Sequence, residues 1–402
     1  MTEKVDPRPR PGVTDFELED QLVLFDRHDR ATYVLNATAA FVWRRLRQHV
    51  GLDAVVSEVA RDAGISEPRA RRDVDAIAAQ WLAAGLIGSG SPRPQRVATD
   101  RAEISTRLSE PARRDASPEL GPCNVDIRIL DSHLRIEAFD RAMIEAIGEV
   151  FDGFRIEPTG NTSGGTRLLI RQMPPGWGLF EEARELARCR SRDSVVPLVH
   201  THALMLGYLR SSGMAAVHGA ALSNGKTCVL MPGSSGCGKS TLTAALVGAG
   251  FACLADDIAV LTDSPVRLRP MPVRIALKQG SWPLLSRLRA HLDALPEYAL
   301  TEGSRVKYLS PAGVRAQSLS QFPVEMSSLV FPRYVSGPKN ELRRISKGDT
   351  FGKLFAAGHD LKGPFSESRV RTVTDWLRET PCFELEFSDL DAATGRIAEL
   401  LS

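Results

Sequence analysis

At 402 residues the chain is longer than an ordinary single domain, so two or three domains are expected. Its 51 Lys and Arg against 49 Asp and Glu leave a net charge of +2, which argues against a general nucleic-acid binder and against a trap for acidic substrates. Six scattered cysteines (123, 189, 228, 237, 253, 382) without a C-x-x-C pair read as reduced thiols, not as a disulfide or zinc framework.

The opening MTEKVDPRPRPGV has no apolar core of a signal peptide, and no run approaches a membrane span, so the expected setting is cytoplasmic with no membrane partner. Residues 1–14 are Pro- and charge-rich and read as a loose tail. From Phe16 the stretches FELE, LVLFD and ATYVL suggest three short strands. Asn36 can cap a helix over 37–49 with Ala40, Trp43 and Leu46 on one side. A second helix spans about 52–63, ended by Gly64. Ser66 and Glu67-Pro68 open a third, with Val74, Ile77, Trp81 and Leu82 as its apolar stripe. Gly85-Leu-Ile87 closes the unit. Arg69, Arg71 and Arg72 on the third helix fit DNA phosphates, a solvated charged face, or a helix beside a peptide groove.

Residues 89–121 are rich in Ser, Pro, Arg and Asp and read as a linker. A hairpin is expected over 123–138, a strand at 166–171, and helices at 177–189 and 198–209. His200 and His202 on the last helix point apart and are not read as a metal pair.

The richest stretch runs from His218 to Asp257. Gly233-Ser234-Ser235-Gly236-Cys237-Gly238-Lys239-Ser240-Thr241 carries a glycine, four free positions, then Gly-Lys-Ser, the pattern of a phosphate-binding loop. It lies between an apolar strand (227–231) and a helix (239–247), where such a loop works. Glycines let the amides approach phosphate oxygens, and the helix terminus adds donors and partial positive charge. Lys239 would reach the β- and γ-phosphates, and Ser240 would bind Mg²⁺. A second strand, 251–255, delivers Asp256 and Asp257 at its carboxyl end, where paired acids can share metal binding and proton acceptance. Asn224-Gly225 signals a two-residue hairpin turn, which would put His218 opposite Met231.

Beyond Asp257 an apolar run at 258–261 is followed by Arg267, Arg269, Arg274 and Lys278. Lys278, at the end of RIALK, is the cation best placed to steady phosphate oxygens, with solvated surface as the competing reading. Residues 280–320 look loop- and helix-rich. A strand at 326–334, a helix near 373–380, a strand from Cys382 and a closing helix over 391–401 complete the chain.

Together, His218-Gly219, GSSGCGKST and Asp256-Asp257 resemble the HPr kinase/phosphorylase family, whose nucleotide core is similar to phosphoenolpyruvate carboxykinase. The resemblance implies ATP and Mg²⁺, with Lys239 on phosphates, Ser240 and Asp257 as metal contacts, Asp256 as the base for a target hydroxyl, and His218 as an active-site polar partner. That family's Glu-x-Arg-Gly signature is absent. The chain looks more like an HPr-kinase-related branch found beside peptide-modification genes. The segment 15–88, above all YVLNATAAFVWRRL, is similar to the PqqD-like fold, a winged-helix relative whose members grip a precursor's leader as an added edge strand. The expected architecture is therefore α/β: a P-loop kinase core over 122–402 preceded by a small α+β peptide-binding domain. The expected activity is serine phosphorylation of a recruited peptide or small protein. A nucleotide-dependent peptide chaperone without transfer and a small-metabolite kinase are the alternatives. No Asn-Lys-x-Asp segment supports a GTPase, and the assembly state, a homo-oligomer included, stays open.

Overall fold

The structure is a computed structural model; it describes residues 7–88, 122–157, 165–285, 288–300, 303–311, 323–361 and 366–401. The segment 89–121, read as a linker, lies outside the described residues. The chain is mixed α/β and divides into two compact units. One comprises 1–112 with 346–352 and 364–378, and the other comprises 113–345, 353–363 and 379–402.

In the first unit, β1 (Arg8–Pro9) pairs with β5 (Ile87–Gly88), so part of the stretch read as a tail is tied down. The meander β2 (Val13–Leu18), β3 (Gln21–Asp26) and β4 (Ala31–Leu35) follows the expected order. Three helices come next: α1 (Ala37–Arg47), α2 (Leu52–Asp62) and α3 (Glu67–Ala84). Asn36 caps α1 by accepting from the Ala39 amide at 2.9 Å, and Gly85 ends α3 in the left-handed region. Leu22 and Leu24 face a core in which Trp43 and Trp81 meet edge to face at 5.3 Å. Leu82 is 51% exposed and leaves the predicted stripe; Ala70 and Ala78 join Val74 and Trp81 instead.

The other face of this sheet is buried too, with Phe16, Leu18, Val23 and Phe25 all at most 4% exposed. What meets it comes from far along the sequence. The helix Glu367–Glu379 lays Arg371 over the Phe16 ring at 5.1 Å, pairs Glu367 with Arg27, and donates twice from Arg378 to the Glu17 carbonyl. The start of the helix Lys347–Ala356 adds the Gly348 amide, bonded to the Gln21 side chain at 2.9 Å. The sequence boundaries 15–88 contain none of these residues.

The second unit opens with β6 (Cys123–Ile129) and β7 (Ser132–Ala138), then α4 (Arg141–Val150), β8 (Thr166–Met173), β9 (Gly176–Glu181) and β10 (Arg184–Cys189). These strands form one sheet in the order β10-β9-β8-β7-β6, packed by α4 and α5 (Val195–Arg210). The helix expected at 177–189 is absent. Glu182 takes φ 52° in a tight turn, and the flanking runs pair as a hairpin. Good helix formers (Glu, Ala, Leu, Arg) misled there because pairing with β8 outweighs local propensity.

The large sheet holds β11 (Ala215–Ser223), β12 (Cys228–Pro232), β13 (Ala252–Ala255), β14 (Ile258–Leu261), β15 (Leu268–Arg269), β19 (Ser328–Tyr334), β20 (Asn340–Arg344), β21 (Gly358–Leu361) and β22 (Cys382–Phe387). β12, β19 and β22 run parallel, and the rest pair antiparallel. The side of this sheet that carries α6 (Lys239–Gly248) and the closing helix Leu390–Leu401 forms one apolar core with Leu385 and Phe387. A small sheet of β16 (Ile275–Lys278), β18 (Arg305–Leu309) and β17 (Tyr298–Ala299) completes the unit, so the region expected to be loop and helix holds a buried strand, β18. Among the described residues no helix is long and apolar enough to cross a membrane.

Candidate functional site

The loop at 233–238 joins the fully buried strand β12 to α6, as its sequence pattern requires. Gly236 and Gly238 sit at φ 86° and 95°, where a side chain is strained. A Cβ on Gly238 would also stand 2.9 Å from Phe387 Cζ. Lys239 is 6% exposed and folds back over the loop, its ammonium donating to the Gly233 carbonyl at 2.6 Å and the Ser234 carbonyl at 2.9 Å. Burial pushes its pKa below the usual lysine range, against the opposing pull of Cys237, Asp256 and Asp257.

The two acids arrive where the sheet is interrupted. β13 and β14 both pair with β11, and Asp256-Asp257 fill the gap between them, with Asp257 at φ 71°. The gap turns the carboxylates into different surroundings. Asp256 is 1% exposed and accepts from Ser240 Oγ at 3.3 and 3.4 Å. Burial first, then the charge of Asp257, raise its pKa to about 7, offset in part by the Ala276 amide, Lys239 and Ser240. Asp257 is half-exposed and pairs with His218 Nδ1 at 3.2 Å.

His218 reaches the site by a register other than the expected one. The turn at Asn224-Gly225 holds four residues rather than two. The Asn224 side chain accepts from the Lys226 and Thr227 amides, and Ser223 pairs with Cys228. Met231 therefore faces Ala220, and His218 moves two places along, its carbonyl accepting from the Gly233 amide at 3.0 Å. The shift brings His218 to the first residue of the loop.

The structure thus gathers Gly233, Ser234, Gly236, Cys237, Gly238, Lys239, Ser240, His218, Asp256 and Asp257 into one cluster, with Ser235 and Thr241 on the same loop and helix. Lys278 ends β16 two residues after Ala276, whose amide serves Asp256; its side chain is exposed. The Ala276 contact was not legible in the sequence, because a backbone amide leaves no residue signature. His200 stacks with Phe151 and lies tilted against Tyr308, and His202 bonds the Leu198 carbonyl. Among the described residues no three His, Cys, Asp or Glu cluster to hold a metal. Magnesium at a phosphate loop needs only one or two protein oxygens besides phosphate and water, and Ser240 with Asp256 or Asp257 fits that donor set.

In the first unit, β4 forms one edge of its sheet and carries Val34 at 38% exposure. The opposite edge, β2, has its Glu17 carbonyl occupied by Arg378. Arg71 on α3 is paired with Asp53 in an exposed ion pair.

Residues 21–87 match the family model of PqqD, coenzyme PQQ synthesis protein D, and the N-terminal unit carries a PqqD domain. Three solved structures are similar to parts of the chain. TbiB1 in complex with the TbiA(beta) leader peptide is 15% identical over 21% of this chain and 99% of its own, with a TM-score of 0.20. Lasso peptide synthetase B1 complexed with the leader peptide is 22% identical over 21% and 100%, with a TM-score of 0.20. The Hpr(Ser) kinase/phosphatase from Coxiella burnetii is 13% identical over 46% and 96%, with a TM-score of 0.21. No curated protein sequence matches the chain.

Proposed function

We propose that the chain is an ATP-dependent kinase that phosphorylates a hydroxyl, a serine by preference, of a precursor peptide or small protein recruited by its PqqD domain. The observation that carries the reading is the convergence on one phosphate loop of Lys239, Ser240 and two acids in unlike surroundings. The loop amides and Lys239 bind and orient the triphosphate, which requires the ammonium to exchange its carbonyl partners for phosphate oxygens. Asp256, with a pKa near 7, is suited to take the proton from the attacking hydroxyl as its oxygen bonds to the γ-phosphorus and the bond to ADP breaks. Mg²⁺ bound by Ser240 and Asp257 would neutralise charge on the phosphates. His218 orients Asp257.

The Ser240–Asp256 contact favours a second assignment in which Asp256 serves the metal and Asp257, held by His218, is the base. Asp→Asn at each position separates them. The metal ligand's variant recovers at high Mg²⁺, and the base's variant does not. Peptide recruitment is assigned to β4, the edge strand across the sheet from the one that Arg378 bonds.

The deciding experiment incubates the chain with Mg-ATP and precursor peptides encoded beside it and looks for added phosphate by mass spectrometry. Phosphate on the peptide that disappears with both Asp→Asn variants is expected. ATP binding without any transfer would instead support a peptide chaperone or switch.

A further inference from the structure

An aromatic pair stands beside the loop on strand ends that the reaction above does not use. β12, β19 and β22 are consecutive parallel strands, so their carboxyl ends open on one rim with the loop. Tyr334 and Phe387, the last residues of β19 and β22, are in register with each other. Their rings meet edge to face at 5.8 Å and 75°. Phe387 is 1% exposed and Tyr334 51%, so one ring is anchored and the other is presented to solvent.

The pair is tied to the loop itself. The Tyr334 amide donates to the Cys237 carbonyl at 3.0 Å, and the Val335 amide to the Phe387 carbonyl at 2.9 Å. A Cβ on Gly238 would meet Phe387 Cζ at 2.9 Å and Tyr334 Cβ at 3.3 Å. The neighbouring charges belong to the other side of the sheet. Strand alternation puts Glu386 opposite in sense to Phe387, and Glu386 is paired there with Arg333 and Lys339. The presented ring therefore stands on an apolar face, rigidly bonded to the segment whose amides are read as the phosphate cradle.

We propose that Tyr334 is the platform on which the base of the bound nucleotide stacks, with Phe387 as the buttress that fixes its ring. The proposal rests on the nucleotide-binding reading and extends it from phosphate to base. A triphosphate lying along residues 233–240 must lead its nucleoside out past the helix start, and Tyr334 is the large exposed aromatic bonded to that stretch. Tyrosine gives a broad π-face with few rotors to freeze, and stacking of this kind changes affinity by about tenfold per base.

Calorimetric binding of Mg-ATP and of Mg-tripolyphosphate to the full chain tests this, using wild type, Tyr334→Ala and Tyr334→Phe. Tripolyphosphate keeps the phosphate chain and lacks the base. Tyr334→Ala should weaken ATP about tenfold and leave tripolyphosphate unchanged, while Tyr334→Phe keeps both. Unchanged ATP affinity in Tyr334→Ala overturns the platform alone, and so does an equal loss for both ligands, which would mean a distorted loop. Wild-type chain that binds neither ligand overturns the nucleotide reading and the platform with it.

Discussion

Replacing Asp256 by asparagine keeps the shape of the side chain and removes its charge, and the two consequences run in opposite directions. Asp256 is buried, and its pKa stands at about 7 instead of 3.8 because burial and Asp257 both disfavour the carboxylate. Each pH unit of that displacement is worth about 1.4 kcal/mol, so holding the charge in the nucleotide-free fold costs up to about 4 kcal/mol. The folded chain grips this proton more tightly than the unfolded chain does. The stability of the neutral acid is therefore complete below the unfolded pKa of 3.8 and is lost as pH rises through about 7. Asparagine is neutral throughout and loses nothing over that range. Between about pH 5 and about pH 8 the wild type should fall behind Asp256→Asn by about 2–3 kcal/mol, read from urea unfolding without nucleotide or Mg²⁺. At the same time the variant should bind ATP and transfer no phosphate, a gain in stability bought at the reacting centre. If the stability gap does not widen with pH, the carboxylate is not buried as described. If the variant transfers at the wild-type rate, Asp256 is not the base.

Other expectations follow from the same geometry. Lys239→Ala removes the ammonium that now bridges the Gly233 and Ser234 carbonyls and should lower ATP affinity by about tenfold or more in calorimetry. Gly238→Ala forces a side chain into φ 95° and against Phe387; thermal unfolding should report a loss of about 1–3 kcal/mol, with ATP binding lost as well. Val34→Glu puts a charge on the edge strand β4 and should weaken a labelled precursor peptide about tenfold by fluorescence anisotropy, leaving ATP affinity intact.

What could be read in advance was set by short-range chemistry. Asn36 before an amphipathic run, Gly85 after one, and a glycine-rich loop between a β-branched run and a helix each act within a few residues. The paired acids were legible for the same reason: a strand short enough to recognise ends at them. Misreadings came where partners are distant. The run 177–189 has helical propensity and becomes a hairpin because β8 offers it a ladder. The Asn224 side chain widens a turn that Asn-Gly usually closes in two residues, and the register of His218 changes with it. The different surroundings of Asp256 and Asp257 could not be foreseen from two adjacent identical letters, since the gap between β13 and β14 sets them.

The sheet of the PqqD domain is covered on one face by residues that the ribosome makes long after the sheet itself. Until Glu367–Arg378 has been synthesised, Phe16 lacks the guanidinium that lies over it and the Glu17 carbonyl lacks its donor. The sheet is thus made well before its cover, and it stays exposed to wrong pairing in the interval. A fragment ending at Gly88 would inherit that immaturity permanently. Weak peptide capture by such a fragment would then reflect a missing lid of sequence, not a missing affinity.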